Sequence, residues 1–373
     1  MSALEALIAT RIRQDVQSMH AYAIQDSRGM IKLDAMENPH RLSEELQAEL
    51  GRRLGAQALN RYPTARVDDL RHALAAYAKM PAGHDIMLGN GSDELISLLA
   101  MAIDLPTSQN PSGQLPVILA PEPGFVMYAM SATFQGLRYV GVPLTADFEL
   151  DEAAMLAAIS LHKPALVYLA YPNNPTANLW NDKAIENIIG LQGKLGGLVV
   201  MDEAYQPFAA RSWIDKIRSS AQEHTHVLLM RTMSKFGLAG VRIGYLIGQK
   251  ALIAHIDKLR PPYNISVLNY ECALFALEHA EVFNAQALEL IDQRAFLLNS
   301  LREMPSVKCW NSDANMILIR VPDAAKTFAG MKAQGVLVKN VSKMHPLLAN
   351  CLRLTVGTAR ENLQMLAALQ ESL

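Results

Sequence analysis

The chain has 373 residues, of which 50% are hydrophobic and 19% charged, with a formal net charge of -2. That balance gives no electrostatic case for a nucleic-acid partner, and no apolar run reaches the roughly 18 residues that a membrane span needs. The three cysteines, Cys272, Cys309 and Cys351, are too scattered for a metal site or a disulfide framework, so a reducing, cytoplasmic setting is expected.

Residues 1–13 carry Glu5 and lack the apolar core of a signal peptide. Leu4, Leu7, Ile8 and Ile12 recur there at helical spacing, and an irregular arm holding Tyr22 follows. Residues 31–39 read as extended and stop at Pro39. Leu42, Leu46, Leu50 and Leu54 predict an amphipathic helix, with Ser43, Glu44 and Glu45 in its N-terminal turn. Short apolar runs then come at 116–119, 139–142, 165–170, 198–201, 227–230 and 243–247, with helical patterns between several of them, at 94–102, 152–159 and 183–191. Residues 106–116 form a polar connection rich in Pro, Gly and Ser. Unbroken apolar strands alternating with helices predict an α/β fold, its mainly parallel sheet covered by helices on both faces. Arg260-Pro261-Pro262-Tyr263-Asn264 breaks the pattern. Beyond it, helices at 266–279 and 281–303, strand-like runs at 316–321, 336–339 and 352–356, and a helix from Glu361 predict a smaller α+β domain. Two domains suit the length.

Ligands of open α/β sheets bind beyond the carboxyl ends of the strands. After 86–88 comes Gly89-Asn90-Gly91-Ser92-Asp93-Glu94, a glycine-bearing helix start that suits an anion, or else an ordinary helix cap at Ser92. Pro121-Glu122-Pro123-Gly124-Phe125 follows another strand and offers a ring for stacking or for the core. Asn173-Asn174-Pro175-Thr176 is a turn at a third strand end. In Asp202-Glu203-Ala204-Tyr205, the spacing of three lets Asp202 and Tyr205 point to one site. Last comes Thr232-Met233-Ser234-Lys235, with Arg242 seven residues beyond the lysine. A lysine partly desolvated beside another cation has a lowered pKa, which suits Schiff-base formation or proton transfer. An anion site, a ring, an amide, a carboxylate and an amine, all at strand ends, fit a phosphorylated aromatic cation that reacts with amines. Pyridoxal phosphate has that chemistry.

The motifs Asn-Asn-Pro-Thr at 173–176, Asp-Glu-Ala-Tyr at 202–205 and Ser-Lys-x-Gly-Leu-Ala-Gly-x-Arg at 234–242 carry a resemblance. Residues 33–39, Asn60-Arg61-Tyr62-Pro63 and 351–358 extend it nearly end to end. The chain resembles the fold-type I, pyridoxal-phosphate-dependent aminotransferases, and among them the histidinol-phosphate aminotransferase family. The resemblance implies an arm at 1–34 that packs on the small domain or a partner subunit. A large domain with a seven-stranded-type sheet is implied at 35–262 and a small α+β domain at 263–373. It implies amino transfer between L-histidinol phosphate and 2-oxoglutarate, giving imidazole acetol phosphate and L-glutamate, a step of histidine biosynthesis.

It also implies roles. Lys235 would hold the cofactor and move the α-proton, and Asp202 would pair with the pyridine nitrogen. Asn174 and Tyr205 would bond the phenolic oxygen, and Phe125 would stack on the ring. Ser92, Asp93, Ser234 and Arg242 would hold the phosphate, joined by Tyr62 from the neighbouring subunit of a homodimer. Arg353, Tyr22, Asn38 and Lys339 would meet the substrate. Three departures from the family pattern stand out: Ala177 where many relatives have Gly, a Lys235–Arg242 spacing one residue short, and Lys339 in place of Arg.

Other readings keep the fold and change the substrate or the product: an aromatic or other amino-acid aminotransferase, or a phosphothreonine-type decarboxylase. A non-catalytic regulator would need an added DNA-binding segment and a basic face. A metal hydrolase finds no H-E-x-x-H, and the nearest histidine pair is His224 with His226.

Overall fold

The computed structural model describes residues 2–18, 25–63, 66–103 and 113–373. Tyr22 and most of the 106–116 connection lie outside them. Two short helices, α1 (Ala3–Arg11) and α2 (Gln14–Ser18), lead to strand β1 (Ile31–Lys32), then to α3 (Glu44–Gly55) and α4 (Arg66–Tyr77). The alternating region runs β2 (His84–Gly89), α5 (Gly91–Ile103), β3 (Val117–Glu122), α6 (Met127–Phe134), β4 (Arg138–Pro143) and α7 (Glu152–His162). It continues through β5 (Leu166–Ala170), α8 (Asp182–Lys194), β6 (Leu198–Asp202), α9 (Trp213–Ser219), β7 (Val227–Thr232), β8 (Gly244–Gln249) and α10 (Lys250–Ile256). The remainder comprises α11 (Val267–Glu278), α12 (Ala280–Arg302), β9 (Lys308–Cys309), β10 (Met316–Arg320), α13 (Ala324–Ala333), β11 (Val336–Leu337), β12 (Lys339–Asn340), β13 (Cys351–Thr355) and α14 (Ala359–Ser372).

The main sheet has seven strands in the order β2-β8-β7-β6-β5-β3-β4. Only β8 runs against its neighbours; the other pairs are parallel. Successive strand residues face opposite sides. Val199 and Met201 therefore join one core with α7, α8, α9 and α11, while Val200 joins another with α5, α6 and α10. Both faces are covered, which is why these strands read as continuous apolar runs. A third core gathers β10, β13, α13, α14 and the later part of α12, and it also takes in Leu33, Met36, Ala177 and Tyr205. The small antiparallel sheet has the order β12-β13-β10-β9.

Two expectations need correction. The 336–339 run is not one strand: Val336–Leu337 pairs with β1, and Lys339 starts a strand that pairs with β13. An apolar run buried on all sides does not encode which neighbour each residue pairs with. Ser92 is not the helix cap either. It lies inside the first turn of α5, and Glu94 accepts from the Asn90 amide at 2.6 Å instead. The arm helix forms as expected, closed by a Ser2–Glu5 capping box, but none of its residues is buried. Among the described residues no helix is long and apolar enough to cross a membrane.

Candidate active site

Strand register brings the predicted residues to one edge. Ala170 lies opposite Asp202, Asp202 opposite Met230, and Gly89 and Thr232 both opposite Gly244. The ends of β2, β5, β6 and β7 thus open on one cavity of about 350 Å³. Nine of the predicted residues line it: Ser92, Asp93 and Phe125; Asn174, Asp202 and Tyr205; Ser234, Lys235 and Arg242.

The anion end is built from close backbone approaches. Gly91 has φ +76°, and a Cβ there would sit 2.5 Å from Arg242 Nη2. A Cβ on Gly244 would meet the Gly91 and Ser92 backbone at 2.6 Å. Only glycine lets the start of α5, the end of β8 and Arg242 close together. Ser92 and Asp93 lie in the first helical turn, where backbone N–H groups have no partner within the helix and the dipole favours an anion. The short spacing after Lys235 is absorbed by a π-type turn, Ser234–Leu238, with Gly237 at φ +138°, then by a single 3₁₀ turn. Arg242, itself left-handed at φ +55°, still reaches Asp93 Oδ2 at 3.1 Å.

At the other end Asp202 is buried. Its Oδ2 accepts from the Tyr128 hydroxyl at 2.6 Å and its Oδ1 from the Ala204 amide at 3.0 Å. Burial pushes its pKa up to about 6, against those two hydrogen bonds. A cationic ring nitrogen beside it would favour the carboxylate again. Phe125 lies edge-on to Tyr128, 5.7 Å between ring centres.

Lys235 is half-buried, and its Nζ donates to the Ala35 carbonyl at 3.0 Å. Burial first, and then the Arg353 charge, lower its pKa to about 7. Lys32 and Arg242 add less, and Glu37 opposes them. The cation that matters most is therefore Arg353, not the Arg242 that the sequence suggested. The Tyr205 ring centre is 5.8 Å from the lysine nitrogen, and burial raises the pKa of its hydroxyl. Asn174 Oδ1 accepts from Arg353 Nη1 at 2.7 Å, which leaves the amide NH₂ free to serve the cavity.

The remaining predicted residues lie outside the lining. Arg353 is buried beside it, also bonded to the Asp34 carbonyl at 2.7 Å. Lys339 sits opposite Arg353 on β12. Asn38 is turned away: it donates to Gln286 and accepts from the His40 amide, both at 2.9 Å. Tyr62 is 72% exposed and stacks on Tyr263 at 4.5 Å. Sequence reasoning missed Tyr128 and Glu37. Tyr128 follows Phe125 by three residues at a helix start, a spacing that places both on one face. Glu37 lies in the extended 33–39 stretch and lines the cavity, with nothing in its sequence context to mark it.

A glycine cradle at a helix start, a buried carboxylate at the far end, a ring wall and an amine whose pKa is lowered to about 7 fit pyridoxal phosphate in shape and charge. No group of three or more His, Cys, Asp or Glu side chains is placed to hold a metal ion among the described residues.

Comparison with known proteins agrees. The chain is 69% identical over 372 residues to the histidinol-phosphate aminotransferase of Polaromonas naphthalenivorans, covering 100% of this chain and 99% of that one. It is 52% identical to histidinol-phosphate aminotransferase 2 of Cupriavidus pinatubonensis, covering 99% and 98%. The fold matches the Sinorhizobium meliloti histidinol-phosphate aminotransferase solved in complex with pyridoxal-5'-phosphate, with a TM-score of 0.80, 21% identity and 97% of each chain covered. It also matches the L-threonine-O-3-phosphate decarboxylase of Porphyromonas gingivalis, with a TM-score of 0.74, 19% identity and coverage of 91% and 98%. Residues 28–369 match the family model for aminotransferase class I and II, and the chain belongs to that family.

Proposed function

We propose that the chain is a pyridoxal-phosphate-dependent aminotransferase that exchanges the amino group between L-histidinol phosphate and 2-oxoglutarate, a step of histidine biosynthesis. The observation that carries the chemistry is the single cavity holding Lys235, Asp202 and the Gly91–Arg242 cradle together. The substrate pair rests on relatives 63–69% identical that carry the name histidinol-phosphate aminotransferase.

The bound cofactor supplies an aldehyde for amine exchange and a protonated ring that accepts the electron pair released at the α-carbon. The chain's residues do the rest. The Ser92 and Asp93 amides, Ser234 and Arg242 bind the phosphate; Asp202 keeps the proton on the ring nitrogen. The Asn174 amide and the Tyr205 hydroxyl hold the phenolic oxygen, and Phe125 fixes the ring plane. Lys235 Nζ would anchor the cofactor and, as a neutral amine, would take up the substrate's α-proton. Arg353 meets the α-carboxylate of glutamate or the phosphate of the other donor, with its guanidinium fork oriented by Asn174 and Asp34. Lys339 adds a point charge, and Tyr22 would close the substrate side.

The working unit in this reading is a cytoplasmic homodimer, with Tyr62 reaching the neighbouring cofactor. Residues 1–34 form an arm, 35–262 the cofactor domain and 263–373 the small domain. The arm's exposed Leu4, Leu7, Ile8 and Ile12 supply an apolar face for such an assembly.

The test separates the half-reactions. Histidinol phosphate without an oxoacid is expected to bleach the visible band of the bound cofactor, and 2-oxoglutarate to restore it. A band that ignores histidinol phosphate but responds to another amino acid would overturn the substrate. Release of carbon dioxide would overturn amino transfer.

A further inference from the structure

No ion pair among the described residues includes Asp202, which is buried at the end of β6. The charged groups that act on it most, Asp93 and Glu203, carry its own sign. A carboxylate buried in such surroundings is driven to take up a proton. Two neutral donors oppose that, the Tyr128 hydroxyl on Oδ2 at 2.6 Å and the Ala204 amide on Oδ1 at 3.0 Å. The amide belongs to the backbone of the turn after β6 and is present whatever side chain follows. The hydroxyl is there only because residue 128 is tyrosine.

The packing around Tyr128 holds its ring still. It lies in the first turn of α6, buried, and stacks face to face on Tyr168 of β5, with ring centres 4.2 Å apart and 7° between the planes. Phe125 meets it at 84°. Burial, and then the Asp202 charge, push the pKa of its hydroxyl far up, so the donor stays a neutral phenol. A neutral donor stabilises the carboxylate through a dipole and leaves its full charge to act on a bound cation. A lysine or arginine in the same place would cancel that charge. Tyr168 provides a contrast within one stack: it is as deeply buried, yet its hydroxyl has no hydrogen-bond partner among the described residues.

We propose that Tyr128 is a positioning residue that holds the Asp202 carboxylate charged and in one orientation for the ring nitrogen of the cofactor. It acts through Asp202 alone, and its own hydroxyl is taken up by that bond. The proposal rests on the pairing of Asp202 with the ring nitrogen given above; it is independent of which amino donor the enzyme takes.

The experiment titrates the full chain, stripped of cofactor, with pyridoxal phosphate and with its 1-deaza analogue, which has a carbon in place of the ring nitrogen. Affinity is read by calorimetry, without turnover. The wild-type chain is expected to prefer the natural cofactor. Tyr128→Phe keeps the ring and its stack, and should lower pyridoxal phosphate affinity about tenfold, the size of one lost hydrogen bond to a charged group. The same variant should change analogue affinity less than about twofold, because the analogue has no nitrogen for Asp202 to pair with. In an Asp202→Asn background, Tyr128→Phe should likewise cost less than about twofold, since the two residues act as one unit. Tyr168→Phe removes only the unpartnered hydroxyl and should leave both affinities unchanged. Equal losses for cofactor and analogue in Y128F, or a loss in Y168F as large as in Y128F, would reduce the tyrosine to packing and overturn the proposal. A wild-type chain that binds cofactor and analogue alike would remove the pairing of Asp202 with the ring nitrogen, and the proposal with it. A discriminating wild type with an indifferent Y128F would overturn the role of Tyr128 and leave that pairing in place.

Discussion

At the scale of single residues, the environment of Lys235 sets what its amine can do. Desolvation and the Arg353 charge bring its pKa down to about 7, so above that pH the nitrogen is a free nucleophile. Capture of pyridoxal phosphate by the cofactor-free protein is expected to slow about tenfold for each pH unit below 7, measured by the growth of the visible band. The linkage has a definite sign. Between about pH 7 and 10.5 the unfolded chain binds this proton and the folded chain does not, so the lysine's share of stability rises with pH across that window. Lys235→Met should flatten that rise in urea titrations, and a variant with the wild-type slope would refute the shift. Ala177 illustrates another residue-scale effect. It is fully buried with φ +67°, a conformation that favours glycine. In Ala177→Gly, relief of strain is offset by the lost methyl and the freer unfolded chain, so stability should stay within about 0.5 kcal/mol. Ala177→Val puts a β-branched side chain at positive φ in a packed site and should cost about 2 kcal/mol or more. Urea midpoints of the two variants decide the point. The sequence marked Ala177 as a departure; the positive φ explains why glycine would suit that turn.

At the scale of elements, the site depends on β6 and β7 staying in register. Asp202 and Thr232 line the cavity, while Glu203 and Arg231 turn the other way, as alternation requires. Behind the site those two make a buried pair at 2.9 Å, and the carboxylate also accepts from Ser212 and the Trp213 amide. With every partner in place the network is satisfied; with one removed, a buried guanidinium charge is left exposed to an apolar surround. Glu203→Gln is therefore expected to cost about 3–5 kcal/mol of stability, read from urea unfolding. A loss below about 1 kcal/mol would mean that water reaches Arg231. The strand ends were legible because their motifs sit directly after apolar runs, and periodicity located those runs. The pairing of Glu203 with Arg231 was not legible, because 28 residues separate them and only strand register brings them together. The same holds for Tyr128 on Asp202 and for the sheet switch at Val338, each decided by tertiary packing.

At the scale of the whole molecule, the chain leaves aromatic and apolar surface that its own fold does not use. Tyr62 and Tyr263 stack with an interplanar angle of 17°, and both are exposed; Tyr263 holds φ +59° after two prolines. Leu59 nearby is 68% exposed. In the dimer proposed above, this surface would face the second copy. If Tyr62 serves the neighbouring cofactor, Tyr62→Phe should weaken cofactor binding about tenfold through loss of one hydrogen bond to a charged group. A mixing experiment separates action across the interface from action within one chain. Lys235→Ala and Tyr62→Ala chains are each expected to be impaired alone. In a mixed dimer with Tyr62 acting across the interface, one site combines an intact lysine with an intact tyrosine. Random re-pairing of equal amounts should then restore about a quarter of the wild-type sites. With Tyr62 acting within its own chain, every mixed site lacks one of the two groups, and the mixture should stay at the sum of the separate activities.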